Sequence, residues 1–422
     1  MNSAESAARE LVLTGRGWEK AASGEDADLV LLNTCSVRET AETRLRGRLA
    51  QYAALRKKRL FTLIVAGCMA ERLGEKLRDE FPAVDYVMGT GGAAALFPEI
   101  LDAVEKGLPF GGRGEMPAFA FASSHLESGA FRSFVPIMHG CDNFCSYCVV
   151  PYVRGREVSR EPDSIAAEIA SLAEKGVREI TLLGQNVNSY RSGSVDFSVL
   201  LELVAGWVQG GPVEWVRFLS ANPKDLSAAT ISVMARHPCF CRHIHLPVQH
   251  GSNRILAAMN RRYTREQYLD LAAELRAAMP DISLSTDIMV GFPGETEADM
   301  EAVLDLMEKV RFNYAYMYHY NVREGTAAAA LPGRIPYRTK IERLSRVIAL
   351  QKAHRVELLT ARTGRREKVL VEGVSRKNAD EYIARTERDE AAVFSGKAEI
   401  GAFVFATLQS LIGTTFRAVL EV

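Results

Sequence analysis

The sequence predicts an α/β protein in three parts: a doubly wound α/β domain over residues 1–110, a partial (β/α)6 barrel over 131–360, and a small β-barrel over 361–422, with a linker at 111–130. Two observations carry this. Short apolar strands alternate with breaker-poor helical stretches as far as about residue 325, the pattern of strand–helix–strand units. Beyond residue 362 the pattern changes to period-two alternation between glycine turns. At 422 residues and 47% hydrophobic composition, the chain has material for several cores.

In the first part, Asp28 to Cys35 and Leu60 to Cys68 read as strands, each closing on a cysteine. Glu39 to Lys58 between them is rich in Ala, Leu and Arg and reads as a helix. A strand–helix–strand unit implies parallel strands, and ligands of such sheets gather beyond the strand carboxyl ends. Cys35 and Cys68 both fall there, as candidate metal ligands rather than buried core thiols. Gly107 to Gly129, with Gly111, Gly112, Gly114, Pro109 and Pro117, reads as the linker.

The second part opens with a strand over Phe134–Met138. A helix follows with Pro162 at its first turn, an apolar face of Ile165, Ile169, Leu172 and Ala173, and Gly176 at its end. Further strands are predicted at 179–183, 215–219, 243–248, 282–290 and 313–320, and helices at 264–279 and 295–310. In such barrels chemistry sits at the strand carboxyl ends. Those ends are polar here: Gly184-Gln185-Asn186, Ser220-Ala221-Asn222, Gln249-His250-Gly251-Ser252 and Gly291-Phe292-Pro293-Gly294-Glu295. Any one is an ordinary turn. Four around one rim point to a small-molecule pocket, with Gly184, Asn186, Ser220, Gln249, Asp287 and Gly291 as candidate binding residues together with Tyr147 in the loop after the first strand.

In the last part, strands are predicted at 368–373, 402–407 and 415–420. Arg362, Arg365, Arg366, Lys368, Arg376 and Lys377 cluster at its start, a candidate phosphate grip as much as a solvated face.

The loop after the first barrel strand carries Cys141, Cys145 and Cys148 in C-x3-C-x2-C spacing. Three thiolates this close can face one metal centre and leave one iron of a four-iron cubane open to a substrate or cofactor. A structural zinc site would bring a second C-x2-C pair or histidines at set spacing, and the sequence has neither. Cys239 and Cys241 share a short loop without partners and read as structural. Seven cysteines in a chain this long do not form a disulfide framework and fit a reducing cytoplasm. Apolar runs such as Leu29-Val30-Leu31-Leu32 are too short for a membrane. With 52 basic and 52 acidic residues, there is no global attraction to polyanions, so RNA contact must come from local patches. Eight histidines show no catalytic pairing.

The run from Cys141 to Arg160 resembles the radical S-adenosylmethionine (SAM) methylthiotransferase family, as do Leu182 to Tyr190, Leu284 to Thr296 and Val371 to Lys377. The likeness spans nearly the whole chain. It implies a 4Fe–4S cluster on Cys141, Cys145 and Cys148 whose open iron binds SAM, a second 4Fe–4S cluster in the N-terminal domain involving Cys35 and Cys68, and a C-terminal TRAM domain that grips tRNA. The implied activity is methylthiolation of C2 of N6-isopentenyladenosine next to the anticodon, with SAM as methyl donor and radical source. The alternatives within the family are threonylcarbamoyladenosine in tRNA or a ribosomal protein, and Arg154-Gly155-Arg156-Glu157 and Tyr190 favour the first. Implied partners are the tRNA anticodon stem–loop, a flavodoxin or ferredoxin, and a sulfur donor. Arg154, Arg156, Arg160, Arg365, Arg366, Lys368, Arg376 and Lys377 are the expected RNA contacts. Two departures stand out. His250 replaces the family serine. Met1-Asn2-Ser3-Ala4-Glu5-Ser6 matches the family's segment just after its first N-terminal cysteine, so the natural protein is expected to extend roughly a dozen residues upstream, about one strand and its turn, to a third ligand of the second cluster.

Overall fold

The computed structural model describes residues 2–35, 39–90, 93–107, 121, 129–376 and 378–421. The predicted linker lies almost wholly outside them, as does Lys377. The chain forms two compact units. One comprises Met1–Leu126, Met138–Phe144 and Cys148–Arg160, the other Glu127–Ile137, Cys145–Tyr147 and Glu161–Val422.

In the first unit, strands Leu29–Thr34, Thr62–Gly67 and Tyr86–Met88 form a parallel sheet in sequence order. Successive side chains alternate between its faces. Val30, Leu63 and Val65 pack with Leu45, Leu49 and Leu77 from the helical segments on one face. Ile64, Ala66 and Met88 pack with Phe97, Ile100 and Leu101 of helix Ala93–Glu105 on the other. Helices on both faces are the doubly wound arrangement the sequence predicts. Thr34 pairs with Gly67 in register, so Cys35 and Cys68 leave adjacent strands side by side. The short hairpin Met138–His139 with Val158–Ser159 and the helix Val150–Arg154 also belong to this unit. That helix packs on helix Cys68–Leu73, with Val149 and Val153 against Cys68.

The second unit contains six parallel strands in sequence order: Arg132–Pro136, Glu179–Leu183, Trp215–Phe218, His243–His245, Ser283–Val290 and Tyr314–His319. A Val216–Phe240 bridge links the third strand to the segment leading into the fourth. Helix ends follow local chemistry. Pro162 opens helix Pro162–Glu174, and Gly176 (φ 82°) follows its end. Capping boxes at Thr264/Gln267 and Thr296/Asp299 start helices Arg265–Ala278 and Glu297–Val310. The fourth strand is shorter than predicted. Pro247 has no N–H for the ladder, and Val248 N–H donates to the Thr286 side chain (2.9 Å) before the pairing resumes at Gln249.

The C-terminal element, in the same unit, is a closed barrel of five strands rather than the three predicted. Glu381–Thr386 and Ala391–Ser395 are the additional ones; both are short, and the first carries Glu381 and Arg385. Its 386–390 turn seats at the N-terminal end of the six-stranded array. There Arg217 donates to Thr386 O (3.1 Å), Glu387 O (2.9 Å) and the Glu179 carboxylate (2.9 Å). Leu370 is buried against Trp215 and Cys241, and Phe403 meets Trp215 edge-on at 4.7 Å. Among the described residues, no helix is long and apolar enough to cross a membrane.

Candidate functional site

Each sulfur of the three-cysteine loop accepts a nitrogen donor. Asn143 Nδ2 lies 3.5 Å from Cys141 Sγ, and Val150 N 3.4 Å from Cys148 Sγ. In the second unit, Arg261 Nη1 lies 3.4 Å from Cys145 Sγ. Sulfurs held as acceptors suit thiolate ligands of an iron–sulfur cluster, whose reducibility depends on such donors. Among the described residues, no three Cys, His, Asp or Glu side chains converge on one ion.

Sequence reasoning missed Arg261. Its guanidinium is buried, with Nη2 on Pro247 O (2.8 Å) and Nε on Tyr263 Oη (3.0 Å), and Tyr263 Oη in turn donates to Val248 O (2.7 Å). Burial disfavours the charge, but Tyr147, Tyr263 and Cys145 hold its pKa well above the ordinary value. Its contact with Cys145 spans 116 residues of sequence, so no local pattern marks it.

The polar loops after the second to fifth strands are knitted into two pairs. After the second and third strands, Val187 N donates to Ser220 O (3.2 Å), and Asn188 and Asn222 exchange two hydrogen bonds of 2.8 Å. Asn186 Nδ2 donates to Asp225 (2.8 Å), and Gly184 is buried beside it. After the fourth and fifth strands, Gln249 N donates to Asp287 O (2.9 Å), and Met289 N to Gln249 O (2.8 Å). The Asp287 carboxylate faces His245 at 3.6 Å. Ser220 (φ 68°) and Gln249 (φ 69°) hold left-handed backbone without being glycine, a strain concentrated at functional sites. Gly291 (φ 71°) has no room for a Cβ, which would stand 2.5 Å from the Lys340 side chain. Tyr147 packs beside Ile255, Met259 and Phe292.

His250 is fully buried and structural. Its Nδ1 accepts from Ser252 N (3.0 Å), so Nε2 carries the proton and donates to Glu295 (3.2 Å). Glu295 also accepts from Gly291 N (2.7 Å) and Arg343 (2.8 Å), which pins the Gly291–Glu295 loop. Burial pushes the Glu295 carboxyl upward, but His250, Gly291 and Arg343 hold it below its ordinary value.

In the first unit, Cys68 is buried and Cys35 half-buried. Burial raises the Cys68 thiol, with the nearby Cys35 adding to the rise, and a hydrogen bond from Arg154 opposes it. Arg154 therefore departs from the expected phosphate contact. It is buried, bonded to Cys68 and ion-paired with Glu5 at 2.7 Å. Arg160 is also buried, over the Phe121 ring. Both guanidiniums lie buried within the unit rather than on its surface. Arg156 remains exposed and bridges to Asp142 at 3.0 Å. On the C-terminal barrel, Arg365 and Arg366 are half-exposed in ion pairs with Asp281 and Glu421, and Arg376 is exposed. Lys368 is drawn to Glu214 at 2.5 Å. Arg362 turns inward to Glu367 and Glu390. Cys241, deeply buried with its thiol pushed up by desolvation, is a packing residue.

Residues 135–307 match the family model described as the radical SAM superfamily, and residues 1–89 match Uncharacterized protein family UPF0004. A tRNA-2-methylthio-N(6)-dimethylallyladenosine synthase of Treponema pallidum (strain Nichols) is 49% identical over 438 aligned positions, covering 99% of this chain and 96% of that one. The protein of the same name from Moorella thermoacetica is 42% identical, covering 94% and 90%. Among solved structures, the radical SAM methyltransferase TsrM from Kitasatospora setae superposes with a TM-score of 0.58 at 17% identity, covering 72% of this chain and 66% of that one. That likeness bears on the fold alone.

Proposed function

The chain belongs to the tRNA-2-methylthio-N(6)-dimethylallyladenosine synthase family of radical SAM enzymes, and on that premise we propose that it places a methylthio group on C2 of N6-isopentenyladenosine next to the tRNA anticodon. The observation that best supports this reading is the donor on every sulfur of the C-x3-C-x2-C loop. A 4Fe–4S cluster held there would supply one-electron reduction of SAM for hydrogen abstraction from an aromatic carbon, and a second cluster with a second SAM would supply the sulfur and methyl group.

The chain's own residues bind, orient and shield. Cys141, Cys145 and Cys148 hold the first cluster, and Cys35 and Cys68 take part in holding the second. Gly184 and Gly291 allow a ligand close to the backbone, and Tyr147 lines the approach. Asn186, Ser220, Gln249 and Asp287 offer amide, hydroxyl and carboxylate groups to the ribose and the amino-acid end of SAM. An aromatic C–H is too weakly acidic for a side-chain base, so none is required, and the buried apolar packing of the barrel keeps water and stray hydrogen donors away. Arg365, Arg366, Arg376 and Lys377 are the remaining candidates for the RNA backbone, and Arg156 is a candidate RNA contact of another kind. The chemistry also calls for a low-potential flavodoxin or ferredoxin, a sulfur donor, and the cytoplasm where tRNA matures. Anaerobic incubation of isopentenylated tRNA with the reconstituted protein, SAM and dithionite, followed by mass spectrometry of nucleosides, tests the reading. The 2-methylthio derivative is expected; its absence with both clusters loaded refutes the proposal.

A further inference from the structure

Tyr152 and Arg156, both exposed, pack on the half-buried Phe144 next to Cys141 in the first unit. Tyr152 is 59% exposed and the Arg156 side chain 72%. The Phe144 and Tyr152 rings meet edge to face at 5.8 Å, and the Arg156 guanidinium carbon lies 5.4 Å from the Phe144 centroid. Several contacts tie this assembly to the backbone that carries Cys141. Cys141 N donates to Gly155 O at 3.2 Å. Asp142 N donates to the Glu157 carboxylate (3.1 Å), and Glu157 N to that of Asp142 (3.3 Å). Gly140 (φ 79°) abuts Arg156 so closely that a Cβ would stand 1.9 Å from its carbonyl oxygen. Phe144 itself sits at φ 46°, an uncommon backbone for a bulky residue.

Solvation explains an exposed tyrosine or arginine singly. It does not explain an aromatic ring held in strained backbone beneath a cation, with a second ring at its edge, on the segment that bears Cys141. We propose that Tyr152, backed by Phe144 and Arg156, is a stacking platform for an unpaired base in the RNA loop that carries the modified adenosine. This rests on the tRNA reading above. Single-stranded bases are recognised by stacking on aromatic rings and guanidinium planes. Asp142 already balances the Arg156 charge, so its guanidinium contributes a flat cationic surface more than a phosphate grip. Because the platform is fixed to the Cys141 backbone, the stacked base sets the register in which the RNA loop meets that cysteine.

The test uses reconstituted holoprotein and fluorescently labelled anticodon stem–loop RNA. Tyr152→Ala is expected to weaken binding about tenfold or more, the scale of one lost stack. Tyr152→Trp should retain affinity. The dependence of log K on log salt should be unchanged, because no phosphate contact is removed. Stem–loops with one abasic nucleotide locate the partner. One loop position should weaken the parent by a similar factor and Tyr152→Ala no further. Iron content and cluster absorbance report that the variant is folded and loaded. Parental affinity in a loaded Tyr152→Ala variant, a reduced salt slope, or the lack of any coupled abasic position overturns the platform. If the parent still methylthiolates tRNA in those cases, the platform alone has failed; a parent that neither binds nor modifies tRNA removes the underlying reading as well.

Discussion

Arg217→Met is the substitution whose cost the structure defines most fully. Arg217 and Glu179 are 8% and 5% exposed, and their ion pair closes at 2.9 Å inside the six-stranded array. Without the guanidinium, Glu179 keeps a buried carboxylate with its charge partner gone, a loss of about 3–5 kcal/mol for a broken buried pair. Glu387 O also loses its side-chain donor, about 1 kcal/mol more. Thr386 O adds little, since Asp389 N still donates to it at 3.0 Å. The total is about 5 kcal/mol. At roughly 2 °C per kcal/mol for a large domain, the melting temperature should fall by about 10 °C, read by anaerobic circular dichroism. The double variant Glu179→Leu with Arg217→Met should recover most of the loss, because an apolar pair of similar volume is close to neutral. A single variant within about 1 kcal/mol of the parent, or a double variant no better than the single, would refute the reasoning.

Cys141→Ala should reduce 5′-deoxyadenosine formation under dithionite to background by chromatography, since two thiolates cannot hold the cubane with one open iron. Arg261→Gln should retain iron but shift the midpoint potential of the cluster downward, measured by redox titration with paramagnetic resonance. A nearby positive charge favours the reduced, more negative cluster, and each tenfold change in that equilibrium is about 59 mV. Burial depresses His243 from 6.5 to about 4, so the folded protein binds its proton less readily than the unfolded chain. Its contribution is full above pH 6.5 and falls away between pH 6.5 and 4, by about 2 kcal/mol once its partial exposure is allowed for. His243→Gln should flatten that part of the stability–pH curve. Truncation after Thr360 should lower the stability of the barrel unit as well as salt-dependent tRNA affinity, because Arg217, Trp215 and Glu214 all lose partners. Unchanged melting of the truncated protein would count against the seat described for the 386–390 turn.

The fold was readable where residues act on near neighbours. Apolar runs placed the parallel strands, Pro162, Thr264 and Thr296 marked helix starts, and C-x3-C-x2-C lies on one loop by its spacing alone. The candidate site was readable in its loops but not in its supports. Arg154 lies 149 residues from Glu5 and reads as a surface cation until the helix Val150–Arg154 is packed on Cys68. Arg261 is hidden for the same reason. The two unpredicted C-terminal strands carry Glu, Arg and Ser, and closure of the barrel orders them more than their own composition does.

Ser220 and Gln249 matter to anyone who would engineer a sturdier version of this protein. Glycine would occupy either left-handed position without the penalty, of order 1 kcal/mol or more, that a side chain incurs. Selection for heat resistance alone would therefore be drawn to these two sites early. Both lie on the rim, and each exchange would delete a side chain that the SAM proposal relies on. They are places where thermostability and turnover pull in opposite directions, and a library that scores only melting temperature would move away from a working catalyst there.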